Sequence, residues 1–558
     1  MDFIHRLQLL SKHLPQLAVR LRHRQYVEED RSFYCLEQFD FKSYNVLYIY
    51  GLNCFRSLLP YLEKLKKIQR IIFIDEDEKN FMFFLQDSQS QLLLEHPQVN
   101  FFSFTYKFEI NYLAKQLAWD FCFQSVYFYA IPSKKEYTEL LKERIYYENV
   151  SQNVSVYRIL DPDLHYFSGP LDNLKSLKVA KNGHQLENSF RGVPAVICGA
   201  GPSLKQAKSK LPKLLNHALV IGVGAGINCL NRWNLQPHFG VALDSDEIQE
   251  DYILARKDFE LPYLYRYSFY ERALKHIHGP KLYIKGTSNQ EMIDQIDTDL
   301  GFEEKSISGG FSTTTFAARL AVLWGCSPII LIGIDLSYEK EHKYADHVST
   351  LAPDKNSQIR GSGIHWNTLI QDVDKSGKTC STTWCWKSEA LWFEDFILKN
   401  PAIEWINASE GGLSIKGMKE CSVDALQLRN KPYQDFVYCR QTSCQSLKFR
   451  YDRLEQIICS WIDEAKNCLE LVENYLDNLS EIGKNKGILL FIEFELEENK
   501  VYKYLLKLKS SVYMQLIKNN GEAFSDLEKS LKKALYLRNS CSEIIELLES
   551  KQHVFTLS

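Results

Sequence analysis

Short runs of branched and aromatic residues mark the first third of the chain. Residues 45–50 (NVLYIY) and 70–74 (RIIFI) are two such runs, and a stretch with helical spacing lies between them. Apolar runs of this length that end at turn residues are typical of buried strands. The pattern therefore predicts a strand, helix, strand unit.

The residues that follow these two strands match a nucleotide-binding fold in part. The first strand ends at Gly51 and the second runs into Asp75, where such folds place a glycine turn and a ribose-binding acid. Only one glycine is present, however, which is fewer than the fingerprint requires. We interpret this region as a degenerate fold serving structure or substrate docking, with a working cofactor site as the alternative.

Four further apolar runs, each stopped by Gly or Asp, mark the region from 190 to 425. The runs are residues 195–197, 219–221, 239–243 and 329–332, and the loops after them contain Gly199, Gly224, Asp244 and Asp335 respectively. Strands that alternate with helices predict a mostly parallel sheet covered on both faces. Ligands of such sheets bind beyond the carboxyl ends of the strands, where we expect all four loops to gather.

From about residue 430 onward the apolar residues follow a different pattern. Apolar residues recur at steps of three and four from Leu454 to Leu476, and again from Leu527 to Leu535. This spacing predicts helices that pack on the catalytic body or on a partner. The predicted fold is thus α/β, with a Rossmann-like, mostly parallel central sheet domain, a degenerate Rossmann-like N-terminal domain and an all-helical C-terminal region. The predicted boundaries are 1–185, 186–428 and 429–558.

Composition narrows the possible partners and the compartment. The 67 basic and 70 acidic residues give a net charge of -3, so we expect no general attraction to nucleic acid or anionic lipid. None of the 14 cysteines forms a CxxC pair, and no apolar stretch is long enough for a membrane span or a signal peptide. We expect a cytoplasmic protein without a membrane span.

A glycine-rich loop follows the run at 195–197. It reads Gly199-Ala200-Gly201-Pro202-Ser203, in which the glycines permit a tight turn and Pro202 fits the first position of a helix. A helix start of this kind attracts phosphate through its free N–H groups and its partial positive charge. The alternative is a tight turn without a ligand, because the spacing is neither that of a Walker loop nor GxGxxG.

A second loop repeats this chemistry before an apolar helix at 316–324. Residues 306–315 read SISGGFSTTT, and Ser308, Gly309 and Gly310 combine a hydroxyl with a glycine pair. Such a segment can wrap an anion or a ribose. Serine and threonine at a helix start are also ordinary caps, and this alternative stays open.

These two blocks resemble those of the motility accessory factor (Maf) glycosyltransferases, whose central domain is shared with the archaeal hydroxymethylpterin pyrophosphokinases. They are also similar to the bacterial sialyltransferases that use CMP-sugars. The stretches GKT at 377–379 and NASEGG at 407–412 resemble Maf segments as well. The resemblance is best over about 190–420.

The resemblance implies a glycosyltransferase that passes a sugar, a nonulosonic acid on a CMP-linked donor, to a hydroxyl of a protein such as flagellin. It implies nucleotide contacts on both loops. On one side these residues are Gly199, Gly201, Pro202 and Ser203, and on the other Ser308, Gly309 and Gly310. The sialyltransferases have asparagines where this chain has Gly224 and Asp244, which weakens the case for CMP.

Transfer through a cation-like sugar needs a base near the acceptor hydroxyl, and histidine suits neutral pH. The resemblance implies a histidine some 30 residues beyond the Gly-Ile-Asp strand end, which points to His365 as the catalytic residue. His342 and His347 compete with it. Tyr338 and Tyr344 fall where the relatives bind the phosphate through tyrosines, although a structural role is equally open.

Asp244-Ser245-Asp246 has the form by which many glycosyltransferases hold a divalent ion against a diphosphate. Asp244 and Asp246 are therefore candidate Mg²⁺ ligands. With Asp335 they could instead serve Mg²⁺ and ATP in a pterin diphosphotransferase, which is the first alternative. The second is a non-catalytic interaction scaffold, which the missing asparagines at Gly224 and Asp244 would favour.

Overall fold

The computed structural model forms two compact units. The residues it describes are 3–24, 33–35, 44–66, 69–160, 165–254, 260–286, 291–338, 345, 369–426, 428, 444–479, 481–520 and 524–556. One unit holds the described residues of Met1–Val156 and Val512–Ser525. The other holds those of Tyr157–Asp354, Leu369–Ser511 and Asp526–Ser558.

The first unit is built on a four-stranded parallel sheet. The elements up to residue 160 are α1 (Phe3–Ser11), α2 (Pro15–Arg22), β1 (Val46–Tyr50), α3 (Leu59–Leu62), β2 (Arg70–Asp75), α4 (Glu78–Gln86), α5 (Ser90–Glu95), β3 (Val99–Ser103), α6 (Glu109–Asp120), β4 (Val126–Ala130) and α7 (Thr138–Leu160). The strand order is β3-β2-β1-β4. The predicted strands β1 and β2 are confirmed, and a 3₁₀ helix at Leu52–Leu58 precedes α3 between them.

Asp75, the acid at the position where nucleotide-binding folds bind ribose, is bonded to other residues of this unit. Asp75 is fully buried and accepts hydrogen bonds from the N–H groups of Leu52 and Asp77, both at 2.9 Å. The Lys134 ammonium lies 2.6 Å from the same carboxylate and 2.7 Å from Glu76. The carboxylate therefore ties the ends of β1 and β2 to the segment after β4, in keeping with a structural role.

The described residues of the second unit form a sheet of nine strands. The elements from residue 165 to 332 are α8 (His165–Asn173), β5 (Lys181–Asn182), β6 (Ala195–Cys198), α9 (Leu204–Ala207), α10 (Leu211–His217), β7 (Leu219–Val223), α11 (Ala225–Arg232), β8 (Phe239–Val241), α12 (Ile248–Leu254), β9 (Tyr263–Tyr265), α13 (Glu271–Lys275), β10 (Lys281–Tyr283), α14 (Glu291–Asp299), α15 (Thr313–Leu323) and β11 (Ile329–Ile332). All pairings between the named strands of this sheet are parallel.

The described residues from 369 onward form further strands and helices. They are β12 (Leu369–Val373), β13 (Thr379–Thr383), α16 (Trp384–Lys399), β14 (Trp405–Asn407), β15 (Lys419–Glu420), α17 (Leu454–Leu479), α18 (Ile482–Glu498), α19 (Lys507–Asn519) and α20 (Asp526–Thr556). Strands β12 and β13 form a separate antiparallel hairpin. The fold class predicted from the sequence, a mostly parallel α/β sheet with a helical C-terminal region, is confirmed.

Both faces of the large sheet are buried. Alternate residues of β6, such as Ile197, join a core with Phe316 of α15 and Phe393 of α16. The intervening residues, such as Val196, join a second core with the helices α9 to α12. This burial explains why the central strands are continuous apolar runs in the sequence.

The strand order changes direction next to β6. The order is β15-β14-β11-β6-β7-β8-β9-β10-β5. The strands β6 to β10 therefore follow one another toward one edge of the sheet, and β11, β14 and β15 follow one another toward the other edge. Ile329 pairs with Ala195 and Ile332 with Cys198, which brings the two carboxyl ends level. The loops after β6 and β11 therefore diverge at a topological switch point, where open α/β sheets bind ligands.

The C-terminal helices share a core with one edge of this sheet. Trp461 and Ile458 of α17 are buried in the same cluster as Tyr263 of β9 and Ile293 of α14. The apolar face predicted from Leu454 onward is the face that enters this core. Among the described residues, no helix combines the length and the apolarity needed to cross a lipid bilayer.

Candidate functional site

A cavity of about 350 Å³ opens at the switch point. The loops after β6, β7, β8 and β11 all line it, together with the start of α15 and the first turns of α16. Its walls include Gly199, Gly201, Gly224, Asp244, Asp246, Thr313, Thr314, Asp335, Trp386 and Glu389. This volume falls at the lower end of small-molecule sites. Six residues predicted from the sequence thus meet in one place.

The loop after β6 packs directly against the loop after β11. Gly201 donates its N–H to the Gly333 carbonyl at 2.8 Å, and a Cβ on Gly201 would lie 2.7 Å from the Asp335 carboxyl carbon. Only glycine fits this approach. The glycine motif is therefore required by the packing of two loops at the cavity wall.

Ser203 adds two hydrogen bonds between these loops. It does not line the cavity: its N–H donates to Asp335 Oδ2 at 2.8 Å and its hydroxyl donates to Asp335 Oδ1. Both groups are buried. In this arrangement Ser203 orients the carboxylate of Asp335, a residue that lines the cavity. Pro202 is also buried and lies outside the lining.

The loop after β11 is held in an uncommon conformation. Leu336 has φ of 52°, in the left-handed region that residues with a side chain rarely adopt. Thr382 of β13 donates to the Leu336 carbonyl at 2.6 Å, and Leu413 donates to the Asp335 carbonyl at 2.8 Å. The hairpin and the 409–413 segment thus fix this part of the cavity wall.

The second predicted loop meets the cavity further along than expected. Ser308 is exposed, and Ser308, Gly309 and Gly310 do not line the cavity. Helix α15 begins after Ser312, whose hydroxyl accepts from the Thr315 N–H at 3.2 Å in a capping box. The residues that reach the cavity are Ser312, Thr313 and Thr314 at this helix start.

Glu389 of α16 was not singled out by the sequence. Its side chain is 6% exposed and accepts a hydrogen bond from the Ser312 hydroxyl at 2.6 Å. Burial, together with the nearby Asp244, raises the pKa of Glu389 to about 7, against the hydrogen bonds from Ser312 and Thr314 that lower it. The cavity therefore holds a carboxyl group that titrates near neutrality.

The cavity is acidic. Asp244, Asp246, Asp335 and Glu389 line it, and no Lys, Arg or His occurs among the described lining residues. The hydroxyl of Thr313 and the amide of Gln249 approach Asp244 Oδ2 at 3.4 Å. Within the described parts of the chain, no three His, Cys, Asp or Glu side chains cluster as a ready metal centre. Metal binding by Asp244 and Asp246 stays a prediction.

The remaining predicted residues fall into two groups. Tyr338 packs its ring against Trp386, with 4.8 Å between the ring centroids, so it lies next to the lining. Tyr344, His342, His347 and His365 lie outside the described residues. Their roles stay predictions.

Comparison with known proteins shows similarity to a protein family and to a solved structure. Residues 170–341 match the 6-hydroxymethylpterin diphosphokinase MptE-like family. The structure of a Maf glycosyltransferase from Magnetospirillum magneticum superposes with a TM-score of 0.54 at 12% identity, over 99% of this chain and 96% of that one. No curated protein sequence matches.

The matched family segment includes β6 to β11, and hence both loops on which the resemblance was based. The structural match extends over nearly the whole chain and shows a shared fold. The resemblance identified from the sequence is thereby confirmed: residues 170–341 are similar to the MptE-like family, and the fold is similar to that of a Maf glycosyltransferase.

Proposed function

We propose that this protein transfers a sugar from a nucleotide-linked donor to an acceptor hydroxyl, with the donor bound in the switch-point cavity. The observation that carries the proposal is the convergence of the loop after β6, the loop after β11 and the start of α15 on one cavity. The fold shared with a Maf glycosyltransferase supports a transferase over a scaffold.

The phosphate of the donor is assigned to the start of α15. This helix has 11 residues, and its first two, Thr313 and Thr314, line the cavity. Unpaired N–H groups and the helix dipole favour an anion at such a position. The same donors would stabilise the negative charge that develops on the departing phosphate.

Four carboxylates in the lining oppose an anionic ligand unless a cation accompanies it. Mg²⁺ commonly binds through one or two carboxylates while phosphate oxygens and water complete its shell. Asp244 and Asp246 offer such a pair, whereas both oxygens of Asp335 already accept from Ser203. Asp244 and Asp246 would therefore hold the ion, which would offset charge on the phosphate.

The family resemblance suggests which donor and acceptor the protein uses. We propose a CMP-linked nonulosonic acid as the donor and a hydroxyl of a protein as the acceptor. The chain departs from the sialyltransferase pattern at Gly224 and Asp244, both of which line the cavity. The nucleotide is accordingly the first property to test.

The alternative is an ATP-dependent diphosphotransfer to a pterin alcohol. The match of residues 170–341 to the MptE-like family favours it, and the acidic lining suits Mg²⁺ with ATP equally well. Nucleotide preference separates the two activities.

We expect CMP or CDP with Mg²⁺ to raise the unfolding temperature in a thermal-shift assay, and ATP with Mg²⁺ to leave it unchanged. A ligand at 100 times its Kd stabilises a protein by about 2.7 kcal/mol, which such an assay resolves. A response to ATP with Mg²⁺ alone would favour the diphosphotransferase. No response to any nucleotide would contradict both activities and leave the scaffold.

Two tryptophan substitutions locate the nucleotide. Thr313→Trp places an indole at the start of α15 inside the cavity and should abolish the nucleotide response. Ser308→Trp is the matched control, since Ser308 is exposed and outside the lining, and should keep the response. The reverse result would move the nucleotide to the Ser308-Gly309-Gly310 segment first predicted.

A further inference from the structure

We propose that Glu389 is the general base of the transfer, accepting the proton of the acceptor hydroxyl. This assignment rests on the proposed glycosyl transfer. It gives a described residue the role that the family resemblance assigns to His365.

Glu389 lies in the wall of the cavity in which the transfer is proposed. Its carboxylate lines the cavity beside the start of α15, where the donor phosphate is placed. The Ser312 hydroxyl accepts from the Thr315 N–H at 3.2 Å and donates to Glu389 Oε1 at 2.6 Å. The cap of α15 thereby holds the Glu389 carboxylate in place at the cavity wall.

The charges around Glu389 suit proton exchange near neutral pH. Asp244, Asp246 and Asp335 share the cavity with it. Two cationic side chains of α15 and α16 contact other groups. On the same helix, Lys387 lies 2.8 Å from Asp372, and on α15 the Arg319 guanidinium lies over the ring of Trp392 at 5.2 Å. With a pKa of about 7, Glu389 exists in both protonation states near neutrality.

In the proposed transfer, the acceptor oxygen attacks the anomeric carbon of the sugar and forms the new glycosidic bond. The bond between that carbon and the phosphate oxygen breaks, and its electron pair leaves with the nucleotide. The proton of the acceptor hydroxyl passes to the Glu389 carboxylate and is later released to water.

Glu389→Gln tests the role, because glutamine keeps the size and can still accept from Ser312. The assay measures nucleotide release from CMP-, UDP- and GDP-linked sugars with a serine- and threonine-containing peptide. We expect kcat to fall by about 100-fold or more, the range of general base catalysis, while KM for the donor changes little. Wild-type kcat should fall by about tenfold per pH unit below pH 7, and the variant should lose this dependence.

Glu394→Gln, the same substitution on the same helix, is the control and should keep wild-type kcat. If Glu389→Gln retains kcat within about threefold, a range too small for loss of a base, the proposal is wrong. A large fall in His365→Ala would then identify the base. If no donor is turned over while a nucleotide still binds, the proposed transfer itself fails, and the assignment of Glu389 fails with it.

A second measurement needs no turnover. A carboxyl with a folded pKa of about 7 and an ordinary value of 4.5 keeps its proton in the folded state while the unfolded chain loses it. Wild-type stability therefore declines as pH rises from 4.5 to 7. The unfolding temperature of Glu389→Gln relative to wild type should rise between pH 5 and pH 8. A difference independent of pH would show that Glu389 does not titrate there and would overturn the assignment.

Discussion

Gly412→Ala is expected to destabilise the second unit by about 3 kcal/mol or more, through backbone strain and overpacking together. Gly412 has φ of +88°, and a Cβ at this position would lie 1.9 Å from the Asp335 carbonyl oxygen. The loop after β11 has to shift, and Asp335 with it. Denaturant unfolding followed by fluorescence measures the loss, and the nucleotide response should vanish with it.

The adjacent glycine supplies the matched control. A Cβ on Gly411 would have open space for 4 Å around it, and the φ of Gly411 is not positive. Gly411→Ala should therefore change stability by less than about 1 kcal/mol and leave the nucleotide response intact. Equal effects of the two substitutions would show that the 412 backbone does not support the cavity wall.

Lys134→Met is expected to destabilise the first unit by about 3–5 kcal/mol near neutral pH, the cost of leaving a buried charge without its partner. Methionine keeps the apolar stem but removes the ammonium that lies 2.6 Å from the fully buried Asp75. The buried Asp75 carboxylate then lacks the positive charge that offsets the cost of removing it from water. Denaturant unfolding of the full chain, with limited proteolysis to identify the affected unit, measures the effect.

The loss of stability in Lys134→Met should depend on pH. Burial already raises the pKa of Asp75, while Lys134 opposes that rise. In Lys134→Met the folded pKa rises further, so the variant loses stability as pH increases above the unfolded value and recovers it on acidification. Lys135→Met, an exposed neighbour, is the control and should stay close to wild type at every pH. A pH-independent loss in Lys134→Met would contradict the ion-pair explanation.

The central strands were predictable because burial on both faces of a sheet leaves a clear record in the sequence. The runs at 195–197 and 329–332 are of this kind and correspond to β6 and β11. The three-residue strands β9 and β10 were not predicted, because so short a segment has no recognisable period. Their place is set by packing against α14 and the C-terminal helices.

The site was predictable only in part. Glycines and acids at strand ends pointed to the edge of the sheet where the cavity lies, since parallel strands bring their carboxyl ends together. The sequence placed Ser308, Gly309 and Gly310 at the site, whereas Ser312 caps α15 and the residues that reach the cavity are Ser312, Thr313 and Thr314. Glu389 carried no local signal: an acid within a helix is ordinary in sequence, and only tertiary structure shows that it is buried against Ser312.

The core shared by α17 and the sheet edge has a consequence for preparing a smaller protein. A chain cut near residue 430 would lack Trp461 and Ile458, which pack in the same core as Tyr263 and Ile293. A large apolar surface would then be exposed to solvent. Such a fragment should aggregate when produced alone, even though it would retain every residue of the switch-point cavity. The smallest soluble form that keeps the cavity is therefore expected to extend through α20.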